Sequence, residues 1–114
     1  MSEVRLSANT LQLVRHIFPV EDHAAVIAAL EVRCGSALPL WVSTTPEGLE
    51  RIRFAVLKLS SGSLSKFERA IAVANADWRD VLVAAGFGSS LLAHINWLNE
   101  QERSWQFVQP DQGY

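Results

Sequence analysis

Apolar side chains return every three or four residues in three successive stretches between Thr44 and Phe87, and each stretch carries its own start or stop signal. Thr45-Pro46-Glu47 supplies a capping hydroxyl, a proline suited to a first helical position and an acid for the first turn. Behind it Leu49, Ile52, Val56 and Leu59 form one stripe, with Glu50, Arg51, Arg53 and Lys58 off it, which predicts an amphipathic central helix with one buried face. Ser63 caps the next helix, with Leu64, Phe67, Ile71 and Ala74 inward and Asn75 at its end. Asp77 caps another, carrying Trp78, Val81, Leu82 and Ala85 up to Gly86.

The flanks read less sharply. Ser7 or Asn9 opens a helix with Leu13, Val14, Ile17 and Phe18 on one face, stopped by Pro19. Glu21 and Asp22 open a second, with Val26, Ile27, Leu30 and Cys34 inward and Gly35 as terminator. Ser89 or Ser90 starts a last helix in which Leu91, Leu92, Ile95 and Leu98 are expected inward. Leu38-Pro39-Leu40-Trp41-Val42 is too apolar for a solvated loop and is broken by proline, so extended chain on the core is expected there. Trp105-Gln106-Phe107-Val108-Gln109 alternates loosely and could form one isolated strand. The expected architecture is all-α: a compact bundle of about six short helices over residues 1–103, followed by an extended tail over 104–114. Its expected core comprises Leu49, Ile52, Val56, Leu59, Phe67, Ile71, Trp78, Val81 and Leu82.

Composition narrows the functional classes. The chain has 114 residues, 49% of them apolar, so one folded domain is expected. Ten basic against twelve acidic side chains leave a formal net charge of −2, which lacks the cationic footprint of a duplex-binding domain. No apolar run approaches the roughly 20 residues of a membrane helix. The start, Met-Ser-Glu-Val-Arg-Leu, has no apolar leader pattern, and a cytoplasmic location is expected. Cys34 is the only cysteine, which excludes an internal disulfide.

Candidate chemistry is sparse. His16, His23 and His94 fit no metal-ligand spacing. Cys34 lies on an apolar stripe, where an inert buried thiol is expected. Gly86-Phe87-Gly88-Ser89-Ser90 has neither the register of a nucleophile elbow nor the lysine of a nucleotide loop, and reads as a turn between helices. In Asp77-Trp78-Arg79-Asp80 every residue has a folding role: a cap, a core tryptophan, an outward arginine and an acid at a helix start. No catalytic, cofactor-binding or metal-binding residue is therefore assigned, and no cofactor is expected.

The strings Leu49-Glu50-Arg51-Ile52-Arg53-Phe54-Ala55-Val56-Leu57-Lys58-Leu59-Ser60 and Asp77-Trp78-Arg79-Asp80-Val81-Leu82-Val83-Ala84-Ala85-Gly86-Phe87, with Ala93-His94 to Trp97-Leu98, resemble a group of small uncharacterised bacterial proteins. That resemblance covers about half of the chain and implies a bacterial cytosolic origin, with no activity, cofactor or site residue to carry over.

Three functional expectations follow. The first is a protein-interaction or adaptor module whose partner is another protein or a second copy of itself, with Trp97, Trp105, Phe107, Tyr114 and Arg79 as partner-binding candidates. The second is a regulator binding nucleic acid through a helix-turn-helix-like pair formed by the stretches 64–74 and 77–85, weakened by two aspartates and a single arginine on the second helix. The third is an enzyme whose cleft would bring together His16, Asp22, His23, Arg53 and His94.

Overall fold

A computed structural model describes residues 6–35, 46–88, 90 and 92–108. Six α-helices follow in order: α1 (Ala8–Ile17), α2 (His23–Arg33), α3 (Pro46–Ser60), α4 (Leu64–Ala76), α5 (Trp78–Ala85) and α6 (Ala93–Val108), with a 3-10 turn, Val20–Asp22, between α1 and α2. All regular structure among the described residues is helical, and the expected all-α bundle is what forms. No described helix is long and apolar enough to cross a membrane.

The boundaries follow from local chemistry. The Ser7 hydroxyl accepts the Thr10 amide and Ser63 accepts the Lys66 amide, each satisfying a first-turn donor that helix geometry leaves open. Asp77 acts twice. Its backbone amide closes α4 on the Val73 carbonyl, and its carboxylate accepts the Arg79 amide to open α5. Gly86 ends α5 in the left-handed region at φ 84°. The turn from α3 to α4 passes through Ser61 and Gly62, both at positive φ. Gly62 lies so near α1 that an added Cβ would stand 2.6 Å from the Ile17 carbonyl oxygen.

α3 is the axle of the molecule, in contact with α1, α4, α5 and α6. Leu49, Ile52 and Val56 are buried as their spacing predicts, but so are Arg53, Phe54, Ala55 and Leu57. The expectation of one buried face is therefore too narrow: residues 52–57 are buried consecutively because neighbours cover the helix on several sides. Of the other expected core residues, Phe67, Ile71, Val81 and Leu82 are buried, while Leu59 and Trp78 pack partly buried against the core.

Two readings near the C-terminus are corrected. α6 begins at Ala93, so Leu92 precedes it and is 64% exposed; Leu98 is buried as expected, and His94 and Trp97 join it on the inward face. Phe54 and Phe87 determine that phase by stacking edge-on or tilted against His94 and Trp97, with ring centroids 5.3 to 6.2 Å apart. The residues Trp105 to Val108 continue α6 as helix rather than forming a strand, so the helix crosses the expected boundary at 103/104. The Leu38 to Val42 stretch, Leu91 and residues 109–114 lie outside the described residues.

Candidate functional site

Two of the four aromatic residues expected to recruit a partner, Trp97 and Trp105, pack partly buried against the chain's own core. Trp97 packs against Phe54 and Phe87, both at 6.0 Å between centroids. Trp105 stacks on His16 of α1 at 3.9 Å and 10° between planes, tying the end of α6 to the first helix. Phe107 lies in the last turn of α6, where only the backbone is described, and Tyr114 lies outside the described residues. Arg79 is exposed, but its guanidinium grips the Asp77 carboxylate through two contacts of 3.0 and 3.1 Å. That pairing holds the Asp77 carboxyl below the usual carboxylate range, with its acceptance of the Arg79 amide a lesser cause. The solvent face of α5 offers this one engaged cation beside Asp80, Val83 and Ala84, a poor surface for reading nucleic acid.

The polar groups that would have to meet in a catalytic cleft are held by separate partners. The Nε2–H of His23 donates to the Phe18 carbonyl at 2.8 Å, bracing the α1–α2 corner. His16 is occupied by Trp105, and His94 by Phe54 and Phe87. Asp22 belongs to the 3-10 turn. Arg53 is 3% exposed and donates from Nε to the Cys34 carbonyl at 3.0 Å, meeting the C-terminal end of α2. Burial weakens its hold on its proton, while the neighbouring Cys34, Glu31 and Glu50 oppose that shift. Burial also pushes the Cys34 thiol up to about 12, so at neutral pH it is a protonated, enclosed thiol rather than a nucleophile. No group of three histidine, cysteine or carboxylate side chains able to hold a metal occurs among the described residues.

At the Gly86-Phe87-Gly88 turn the Gly86 and Phe87 amides donate back to the Val83 and Leu82 carbonyls, so neither is free to bind an anion. Lys58 donates to the Ala85 carbonyl at 2.8 Å with its ammonium 5.1 Å from the centre of the Phe87 ring, and Arg51 donates to the Phe87 and Ser90 carbonyls. Lys58 thus caps the C-terminal end of α5, the electrostatically favoured arrangement, and Arg51 holds the chain just beyond it.

An open feature among the described residues is a shallow groove of about 410 Å³ where α4 meets the end of α3, lined by Leu59, Lys66, Arg69, Ala70 and Val73. Its floor is apolar: Ala70 is buried, Leu59 partly buried, and Val73 is 40% exposed. Lys66 and Arg69 stand exposed, and neither forms an ion pair among the described residues. The next acid along α4, Glu68, is committed elsewhere, to Arg33 of α2 at 2.8 Å. On that same flank the Asn75 side-chain amide donates to the Arg33 carbonyl at 3.1 Å. α4 is therefore anchored to α2 along one side, and no described residue fills the groove along the other.

Sequence reasoning placed Leu59 in the core and Lys66 and Arg69 outside the apolar stripe of their helix, and gave none of the five lining residues a binding role. One signal was legible. In Ser63-Leu64-Ser65-Lys66 a lysine occupies the position three residues after the cap, where a glutamate would complete a capping box. The convergence of Leu59 from the preceding helix was not, because it depends on how α3 and α4 pack. Fold and site together define a small all-α protein with an open, cation-rimmed groove. No protein-family model matches the chain, and searches of curated proteins and of solved structures return no similar protein.

Proposed function

We propose that this chain is a small bacterial cytoplasmic protein-interaction module that engages its partner along the groove of α4. The observation that carries the reading is the pairing of an apolar floor, Leu59, Ala70 and Val73, with two cations that have no ionic partner among the described residues. An apolar groove floor rimmed by unengaged charge is the pattern of a recognition surface, whereas the other exposed large apolar residues, Val20, Val32, Leu64, Val83 and Leu92, do not line it. The separate engagement of the histidines, Arg53 and Cys34 in packing supports binding over catalysis. The resemblance to small bacterial proteins brings no activity into this reading.

Site-specific photo-crosslinking in cells tests it. A photoreactive residue in place of Val73 is expected to give one discrete adduct, and the same residue in place of Val83, exposed on α5, is expected to give none. An adduct with a second copy of the chain identifies a homodimer and agrees with a doubled mass in light scattering. Equal labelling from both positions, or none from either, overturns the reading.

A further inference from the structure

We infer that the groove of α4 receives an acidic amphipathic helix, one presenting small or aliphatic side chains to Leu59, Ala70 and Val73 and carboxylates to Lys66 and Arg69. This rests on the interaction reading and names its partner's chemistry. The floor and the rim dictate the two faces of the guest. Apolar side chains gain by covering Val73 and Leu59, and carboxylates gain most at cations that no described acid already neutralises. Arg69 offers a planar fork suited to a carboxylate, and Lys66 a mobile point charge.

Lys66 adds an observation independent of the groove. It sits in the first turn of α4, where the helix dipole opposes a cation, and that turn contains no acid at all. The first turns of α1, α2 and α6 also lack acids, and α5 has Asp80 there, so what sets α4 apart is a cation with no acid in the same turn. A carboxylate on the guest would offset the cost of that cation at the helix start. The dimensions agree as well. Lys66 to Val73 is eight residues, on the order of 10 Å of helix axis, or about two turns. A guest helix of similar length would set two apolar side chains four residues apart over the floor.

The full chain, isotopically labelled, is titrated with a peptide made of two copies of Glu-Leu-Glu-Ala-Leu-Glu-Glu and with its counterpart carrying lysine for every glutamate. The acidic peptide is expected to shift the amide resonances of Leu59, Lys66, Arg69, Ala70 and Val73, with affinity falling as salt rises. The lysine peptide is expected to leave them unmoved. The double variant Lys66→Glu, Arg69→Glu is expected to weaken acidic-peptide binding at least about tenfold. Both positions are exposed, and Lys66→Glu places an acid in the first turn of α4 where the helix dipole favours it, so the thermal midpoint is expected to hold or rise and misfolding cannot mimic the loss. No shift at the groove with ~1 mM acidic peptide, equal binding of the lysine peptide, or stronger association with phosphatidylglycerol vesicles than with peptide overturns the inference. If the Val73 crosslink still forms in that case, the interaction reading stands and only the acidic guest is lost. If the crosslink is also absent, both fall.

Discussion

Cys34 ends α2 with its sulfur fully buried and its carbonyl held by Arg53, and the consequence for stability has a definite sign. The folded protein raises the thiol from 9.0 to about 12, so it binds that proton more tightly than the unfolded chain does. The stabilisation is complete below the unfolded value and is lost as pH rises from about 9 towards 12. Unfolding titrations across that range are expected to show wild type losing stability faster than Cys34→Ala; parallel curves would show an accessible thiol. That Cys34 is buried could be read from its place on an apolar stripe. That Arg53 is buried could not, since a guanidinium beside the Ile52–Val56 stripe looks like a solvated flank until the end of α2 is brought to it. Lys66 is the opposite case, a residue whose oddity is visible in the sequence alone because it contradicts the local rule for a helix start.

At the scale of elements, the helix boundaries that rest on a cap were legible: Ser7, Ser63, Asp77 and Gly86 all act where the sequence puts them, and α3 starts at Pro46. α6 was not placed as well. Its start was assigned to Ser89 or Ser90, but the Phe54–Phe87 cluster, contributed by two other parts of the chain, sets its phase and draws in His94 instead of Leu92. The same contrast between local and distant causes separates two glycines. Gly86→Ala meets only the flexible end of Lys58, 3.9 Å away, so its cost is the left-handed backbone, about 1 kcal/mol. Gly62→Ala incurs that cost and also drives a Cβ into the Ile17 carbonyl, where α1 or the turn must shift, so about 2 kcal/mol or more is expected. Urea unfolding of the two variants reads the order directly, and equal losses would mean that α1 yields freely to the turn.

Across the whole molecule, the His16–Trp105 stack joins the first helix to the last and converts a supposed recognition aromatic into an internal fastener. Trp105→Ala is expected to lower stability by about 1 to 2 kcal/mol while leaving the mass seen by light scattering unchanged. A fall in mass with unaltered stability would instead return Trp105 to an interface. Sequence spacing assigned each aromatic to a helix, but which surface it reaches depends on how α1, α3 and α6 cross. Asp77 has a consequence of another kind. With one residue serving as the end of α4 and the beginning of α5, the two helices are geared together with no slack between them. A single residue inserted there would turn α5 by about 100° about its axis and rotate Val81, Leu82 and Ala85 out of the interior together. The chain can vary in side chains at this junction, but its length here is fixed.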